Sequence, residues 1–164
     1  MKYEFKKNTI DDYTLIYTNK DGKEVKKDFK RTVEMAENLQ GINARARIKM
    51  SLYLSKMGIK KDDLIIKTNI GNGKINYDES NYRILENEFI EEESISSAND
   101  LIEKCFGLNI LDLFKDMGVN IDETQQISVE EQNQITLFTQ KFMTIIKGGE
   151  DKEQTPSDNA KENN

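Results

Sequence analysis

The stretch RTVEMAENLQGINARARIKMSLYLSKMG, residues Arg31–Gly58, decides the fold. Its apolar residues recur every three or four positions, which is typical of a helix with a buried face. That face comprises Met35, Leu39, Ile42, Ala46, Met50, Tyr53 and Met57, and a second apolar stripe comprises Val33, Ala36, Ala44, Ile48 and Leu52. Arg45 and Lys49 mark the side expected to face water. The pattern predicts one long central helix over residues 31–58, or two helices meeting near Gly41. Because the apolar arc is wide, we expect it to be covered on more than one side.

The sequence predicts an acidic protein of the α+β class. The chain has 164 residues, of which 36% are hydrophobic and 33% are charged. The net charge of −6 argues against a nucleic-acid partner, because affinity for phosphates comes from lysine and arginine. The chain has no histidine, which removes the usual serine triads and Cys/His zinc sites. We therefore expect a protein that is not an enzyme and has no catalytic residues, no cofactor and no metal site.

Cys105 is the single cysteine, so an internal disulfide is excluded. It lies on an apolar helix face, where a buried and inert thiol is expected. The first residues, MKYEFKKN, lack the apolar run of a signal peptide, and no stretch of 18 apolar residues is present. These features predict a cytoplasmic protein without a membrane partner.

Residues 1–30 predict a small antiparallel β-meander of three strands. Apolar and charged residues alternate over Lys2–Lys7, and β-branched and aromatic residues fill Tyr13–Thr18. Asp21-Gly22 favours a hairpin turn that leads into a third strand, Lys23–Phe29. We expect one face of this meander to pack on the central helix. The basic cluster of Lys23, Lys26, Lys27, Lys30 and Arg31 is interpreted as solvated.

Beyond Gly58 the sequence predicts a two-stranded ribbon and then helices. Asn72-Gly73 is a hairpin signal, so an exposed β-hairpin is expected over residues 68–77. Asp78 is expected to cap a helix over residues 79–93, followed by a second helix to Phe106 or continuous with it. The acidic run Glu91–Glu93 is interpreted as solvated surface. A short helix from Ile110 to Met117 is expected to turn Leu111, Phe114 and Met117 inward.

The last helix carries the candidate partner-binding residues. Ser128–Glu131 is a capping box that opens a helix reaching Lys147. Its apolar stripe comprises Ile135, Phe138, Phe142, Ile145 and Ile146. The interpretation we favour is that this stripe closes the core. The alternative is that it docks a partner, since the polar link Val119–Gln126 would let the helix move. Residues 1–147 are thus expected to form a single α+β domain, and residues 148–164 a disordered acidic tail.

The order of these segments resembles a known family. FKRTVEMAENLQGINARARIKMSLYLSKMG (Phe29–Gly58), INYDESNYRILENEF (Ile75–Phe89) and FGLNILDLFKDMGVNID (Phe106–Asp122) are similar to the tail assembly chaperones of siphophages and prophages of Gram-positive bacteria. The resemblance implies a non-enzymatic protein that binds the tape-measure and tail-tube proteins during tail morphogenesis in the host cytoplasm. It supplies no functional residue.

Two other hypotheses remain open. The chain is alternatively a structural phage tail or connector subunit, which would assemble into rings, or a small regulatory protein that binds a host factor. Only the first 30 residues are rich in predicted strand, which favours the chaperone over the structural subunit. The sequence leaves the oligomeric state unknown.

Overall fold

The computed structural model describes residues 1–121 and 126–148. Three strands come first, namely β1 (Tyr3–Lys7), β2 (Asp12–Thr18) and β3 (Glu24–Lys30). Next are the helices α1 (Val33–Gln40) and α2 (Ile42–Met57), a 3-10 turn (Lys61–Leu64), and the strands β4 (Ile66–Gly71) and β5 (Lys74–Asp78). The described chain ends with the helices α3 (Ser80–Phe106), α4 (Ile110–Asp116) and α5 (Val129–Lys147). The predicted α+β architecture is confirmed. Residues 149–164 of the predicted tail lie outside the described residues.

The N-terminal sheet is the expected antiparallel meander, with β2 at its centre. Leu15 of β2 lies opposite Phe5 on one side and Lys27 on the other. The turn between β2 and β3 places Gly22 at φ +77°, a conformation that glycine adopts without a steric penalty. The aromatic rings on the buried face contact α5 and the end of α3, where the sequence predicted the central helix. The sheet therefore packs mainly on other helices than the predicted one, because α2, the longer part of the central stretch, packs on α3.

The central stretch is two helices that meet at Gly41, one of the two predicted alternatives. Thr32 caps α1 by accepting a hydrogen bond from the backbone N–H of Met35 at 3.2 Å. Gly58 ends α2 in the left-handed conformation. The predicted inward face is buried at five of its seven positions, namely Met35, Leu39, Ile42, Ala46 and Met50.

The predicted cover on more than one side of this stretch is wrong along α2. Tyr53 and Met57 are exposed, and Leu54 is buried in their place. The second apolar stripe is also exposed at Val33, Ile48 and Leu52. The physical reason is that α2 packs against α3 on one side only, so its wide apolar arc exceeds the surface available to cover it.

Helix α3 is continuous over 27 residues, although serines lie in its middle. It runs antiparallel to α2. Arg45, near the start of α2, contacts Glu93, whereas Tyr53, farther along α2, contacts Phe89, which precedes Glu93 in α3. Asp78 does not itself cap α3, since Glu79 occupies that position. The Asp78 carboxylate instead accepts a hydrogen bond from the Ser80 N–H at 2.9 Å. We call residues 42–97, from the start of α2 through the β4–β5 hairpin to the middle of α3, the arm.

Helix α4 follows the prediction except at one residue. Asn109 caps it by accepting a hydrogen bond from the Asp112 N–H at 2.9 Å. Phe114 and Met117 face the core as expected, but Leu111 is exposed and the neighbouring Leu113 is fully buried. The consecutive residues Leu113 and Phe114 are both buried, so the inward side of this short helix is wider than one stripe.

Candidate functional site

The predicted partner-binding stripe of α5 lies inside the protein's own core. Phe138, Phe142, Ile145 and Ile146 are buried, and Ile135 is partly buried against the same core. The structure thus brings all five residues together, in the arrangement that the favoured interpretation described. The alternative, that α5 binds a partner, stays a prediction.

Aromatic packing makes α5 central to the core. The ring of Phe138 lies 5.2 Å from that of Phe5 and 5.3 Å from that of Phe114. The ring of Phe142 lies 5.4 Å from that of Phe106 and 5.8 Å from that of Phe29. These contacts join α5 to the sheet, α3 and α4 at once, so removing α5 would expose most of the core.

Polar contacts also hold both ends of α5. At its start, the predicted Ser128–Glu131 capping box is present, and Glu131 accepts a hydrogen bond from the Asn120 N–H at 3.2 Å. Hydrogen bonds from Ser128 and Asn120 hold the pKa of Glu131 below its usual range. At its end, Arg31 Nε donates to the carbonyl of Ile146 at 2.9 Å. A partner that took up the stripe would have to break these contacts as well.

The arm offers a different candidate surface. It carries ten of the fifteen large hydrophobic residues that are exposed in the described part of the chain. They are Ile48, Leu52, Tyr53, Met57, Ile66, Ile70, Ile75, Tyr77, Ile84 and Ile95. Exposed apolar residues are unremarkable when scattered singly, but a concentration on one substructure is typical of a surface that binds something.

The β4–β5 hairpin is the most exposed part of the arm. All of its residues are exposed, as the sequence predicted for residues 68–77. Ile66 lies on one face of the ribbon, whereas Ile75 and Tyr77 lie on the other, because cross-strand partners share a face. Ile70 has no cross-strand partner, since the register shifts between Asn69 and Gly71, and it is exposed as well. Among the described strands, neither β4 nor β5 has a second neighbour. The hairpin therefore presents apolar side chains on both faces and unpaired backbone groups along both edges.

Helix α2 adds an apolar stripe that faces away from α3. Ile48 and Leu52 follow the buried Ala46 and Met50 by two residues, which is a rotation of about 200° around the helix. Ala44 precedes Ile48 by one turn and is also exposed. We call Ala44, Ile48 and Leu52 the outer α2 stripe.

A charged network fixes the arm at its base. Glu93 of α3 is buried, contrary to its predicted place on a solvated surface, and it pairs with both Arg45 and Lys49 of α2. Arg45 Nε lies 2.7 Å from a Glu93 carboxylate oxygen, and Arg45 Nη2 donates to the Asn38 carbonyl at 2.8 Å. Nη2 also donates to Ser97 Oγ at 3.1 Å. Hydrogen bonds from Lys49 and Arg45 lower the pKa of Glu93, so the carboxylate is held in its charged form.

The expected wet side of α2 is confirmed for Lys49, whose side chain is 57% exposed although it also pairs with Glu93. It is wrong for Arg45, which is partly buried and reaches across to α3. A signal for this contact was present in the sequence. Leu85, Phe89, Glu93 and Ser97 follow one another at intervals of four, so Glu93 continues the inward stripe of α3. The other members of the acidic run, Glu91 and Glu92, are exposed as predicted.

Two other expectations meet mixed outcomes. Cys105 is partly buried, and burial raises the pKa of its thiol to about 11. That keeps the thiol protonated and unreactive at neutral pH. Within the basic cluster, Lys26 is exposed as expected, but Lys27 Nζ donates to the Phe106 carbonyl at 3.3 Å and Arg31 pairs with Asp11. The last two side chains tie β3 and α1 to the rest of the protein.

No protein-family model, no curated protein and no solved structure matches this chain. The resemblance to tail assembly chaperones therefore stays a prediction based on the three segments quoted above. Among the described helices, none is long and apolar enough to cross a bilayer.

Proposed function

We propose that this protein is a non-enzymatic tail assembly chaperone of a siphophage or prophage. It binds the tape-measure and tail-tube proteins in the host cytoplasm during tail morphogenesis and leaves before the particle is complete. The observation that carries the proposal is the concentration of exposed apolar residues on the arm. A chaperone of this kind needs apolar surface that a client can reach and a charged remainder that keeps the complex in solution.

The β4–β5 hairpin is the client-binding surface in this proposal. A two-stranded ribbon without further neighbours is marginally stable by itself, so a hairpin whose residues are all exposed fits a use beyond folding. The open edges offer backbone hydrogen bonds, and Ile70, Ile75 and Tyr77 offer apolar contacts. The α5 stripe is the weaker candidate, because exposing it would cost the core its aromatic packing.

Co-expression with the tape-measure and tail-tube proteins of the same phage tests the proposal. The expected result is that the client proteins stay soluble and are recovered with this chain, which is absent from purified particles. The triple substitution Ile70→Ser, Ile75→Ser and Tyr77→Ser should abolish recovery of the clients.

A matched control is available on the rest of the protein. Val33, Val129 and Leu137 are also exposed apolar residues, and all three lie outside the arm. Their joint replacement by serine should leave client binding unchanged. Equal loss in both triple variants would contradict the hairpin assignment. Retention of the wild-type chain in finished particles would contradict the chaperone and support the structural tail subunit.

A further inference from the structure

The outer edge of β5 is open to a further strand. In the described part of the chain, β5 pairs with β4 alone, and all five of its residues, Lys74–Asp78, are exposed. Alternate residues of such an edge strand direct their backbone N–H and C=O groups outward. The edge of β4 is less regular, because the register of the hairpin shifts between Asn69 and Gly71, and a bulge interrupts pairing. β5 is therefore the edge at which another strand fits without a break.

The charged residues of β5 specify what that strand must carry. Lys74 and Asp78 stand at its two ends, and neither forms an ion pair with another described residue. The Asp78 carboxylate accepts hydrogen bonds from the Ser80 N–H and hydroxyl through one oxygen, Oδ1, which leaves Oδ2 for a partner. A complementary strand places an acid opposite Lys74 and a base opposite Asp78. β4 contains no acidic residue, so β4 of a second copy does not meet this requirement.

β5 itself meets the requirement, because its sequence KINYD is complementary to its own reverse. When two β5 strands pair antiparallel about Asn76, Lys74 of each copy lies opposite Asp78 of the other. The pair of Ile75 with Tyr77 also forms twice, and cross-strand ion pairs and apolar pairs of this kind stabilise a sheet. Asn76 lies opposite Asn76 of the second copy, where each amide offers both a donor and an acceptor. Every position of the strand is thus matched.

We infer that two copies of this chain pair through their β5 strands into one four-stranded antiparallel sheet, in the order β4–β5–β5–β4. The contact has a two-fold axis at Asn76, so it is isologous and closes at two copies. Ile75 and Tyr77 share a face of the hairpin, and the pairing joins them to their counterparts in one larger apolar surface. The pairing goes beyond the proposed function and does not depend on it, since that surface and both β4 edges stay open to a client. Two short strands bury little area, so the dimer is weak.

Disulfide trapping locates the two-fold axis. In the inferred sheet the two Asn76 Cα atoms lie about 4.5–5.5 Å apart, which a disulfide spans. Asn76→Cys should therefore give a covalent dimer in oxidised glutathione. Thr68 is the matched control, because it lies opposite Asn76 on β4 and shares its face. The two Thr68 positions are three strand spacings apart, about 14 Å, so Thr68→Cys should stay monomeric. Both variants carry Cys105→Ala to remove the natural thiol.

Sedimentation velocity of the full chain measures the association itself. The weight-average sedimentation coefficient of the wild type should rise with protein concentration. Lys74→Glu places two acids opposite each other and Asp78→Lys places two bases opposite each other, so each variant alone should associate about tenfold more weakly. An equimolar mixture of the two variants should associate as the wild type does, because both pairs across the contact are again opposite in charge.

The control for charge is Lys67→Glu, which makes the same change on β4, away from the axis. It should associate as the wild-type chain does. Urea unfolding midpoints that match the wild type establish that the variants are folded.

Three results would overturn the inference. The first is equal trapping of Asn76→Cys and Thr68→Cys. The second is a mixture of Lys74→Glu and Asp78→Lys that associates no better than either variant alone. The third is a wild-type chain that is monomeric at every concentration and whose β5 amides are protected from hydrogen exchange only when a client is added, since the edge then belongs to the client.

Discussion

The guanidinium of Arg45 occupies the space beside Gly41, where any other residue would place a side chain. An ideal Cβ built on Gly41 lies 2.6 Å from Arg45 Nη1. The backbone of Gly41 is right-handed helical, at φ −80° and ψ −3°, so glycine is not needed there for its conformation. It is needed for room, because the same guanidinium holds Glu93 and the Asn38 carbonyl and so joins α1, α2 and α3.

Gly41→Ala should therefore destabilise the wild-type chain but stabilise a chain in which Arg45 is replaced by alanine. In the wild-type chain, alanine displaces Arg45 and should lower the free energy of unfolding by about 1–2 kcal/mol, because the loss of hydrogen bonds to a charged group, about 1.5–3 kcal/mol, outweighs the gain from replacing glycine. In an Arg45→Ala background the clash is gone. Alanine fits the right-handed backbone of this helix junction and restricts the unfolded chain more than glycine does, so it should raise the free energy of unfolding by about 0.4–1 kcal/mol. Urea denaturation of the four chains of this double-mutant cycle measures both values. Destabilisation of equal size in the two backgrounds would show that Arg45 is not the reason for the glycine.

Glu93→Gln should weaken the protein in a way that depends on pH. The pKa of Glu93 is lowered in the folded state, so its stabilising effect is present above the unfolded value of about 4.3 and is lost as the pH falls through the folded value. At pH 7 the variant should lose about 1–3 kcal/mol. The difference between the variant and the wild type should shrink below about pH 4. Unfolding midpoints between pH 3 and pH 7 measure this, with the exposed Glu92→Gln as control. A difference that stays constant with pH would contradict the assigned role.

The spacing of apolar residues along the sequence predicted most of the fold, because the pattern of buried side chains follows that spacing closely. The strand alternation, the Asp21-Gly22 turn and the Ser128–Glu131 box each act locally, so their outcome is decided within a few residues. The apolar stripe of α5 was found for the same reason, since Phe138 and Phe142 repeat at helical spacing. Such signals need no knowledge of which elements are neighbours.

The errors share one physical cause, which is that a sequence does not state how many sides of a helix are covered. Ile48 and Leu52 are as apolar as Met50, but only the side with Met50 meets α3. Glu93 looked solvated because two other glutamates precede it, although its position places it between α2 and α3. The α2 part of the arm surface was missed because Ile48 and Leu52 were assigned to a core that does not extend that far, whereas the hairpin was predicted to be exposed.

Tyr17→Phe should remove an alkaline sensitivity. Tyr17 Oη donates to Asp116 Oδ2 at 2.5 Å, and burial together with this neighbouring carboxylate raises the pKa of Tyr17. Since the folded state favours the neutral phenol, its stabilising effect is present below the unfolded value of about 10 and is lost as the pH rises above it. The variant should lose about 1–2 kcal/mol at pH 7, because Asp116 loses a donor, and should show a smaller further loss above pH 10. Unfolding at pH 7, 9 and 10.5 measures both effects, and Tyr77→Phe on the exposed hairpin is the control. A variant that weakens above pH 10 as steeply as the wild type would contradict the prediction.

Phe138→Ala decides whether α5 is part of the stable core or a movable helix. Phe138 is fully buried among aromatic rings, so its removal should cost about 3–5 kcal/mol, the usual range for a buried phenylalanine. Leu137 is the adjacent residue of the same helix and is 53% exposed, so Leu137→Ala should change stability by less than about 0.5 kcal/mol. Urea denaturation gives both numbers, and native-state hydrogen exchange adds a direct view of the helix. The amides of α5 should exchange only through global unfolding, as amides of core elements do. Exchange of α5 well before the sheet and α3 would show that the helix separates while the remainder stays folded. In that case its five-residue stripe, Ile135, Phe138, Phe142, Ile145 and Ile146, would again be a candidate for binding the client, in competition with the hairpin.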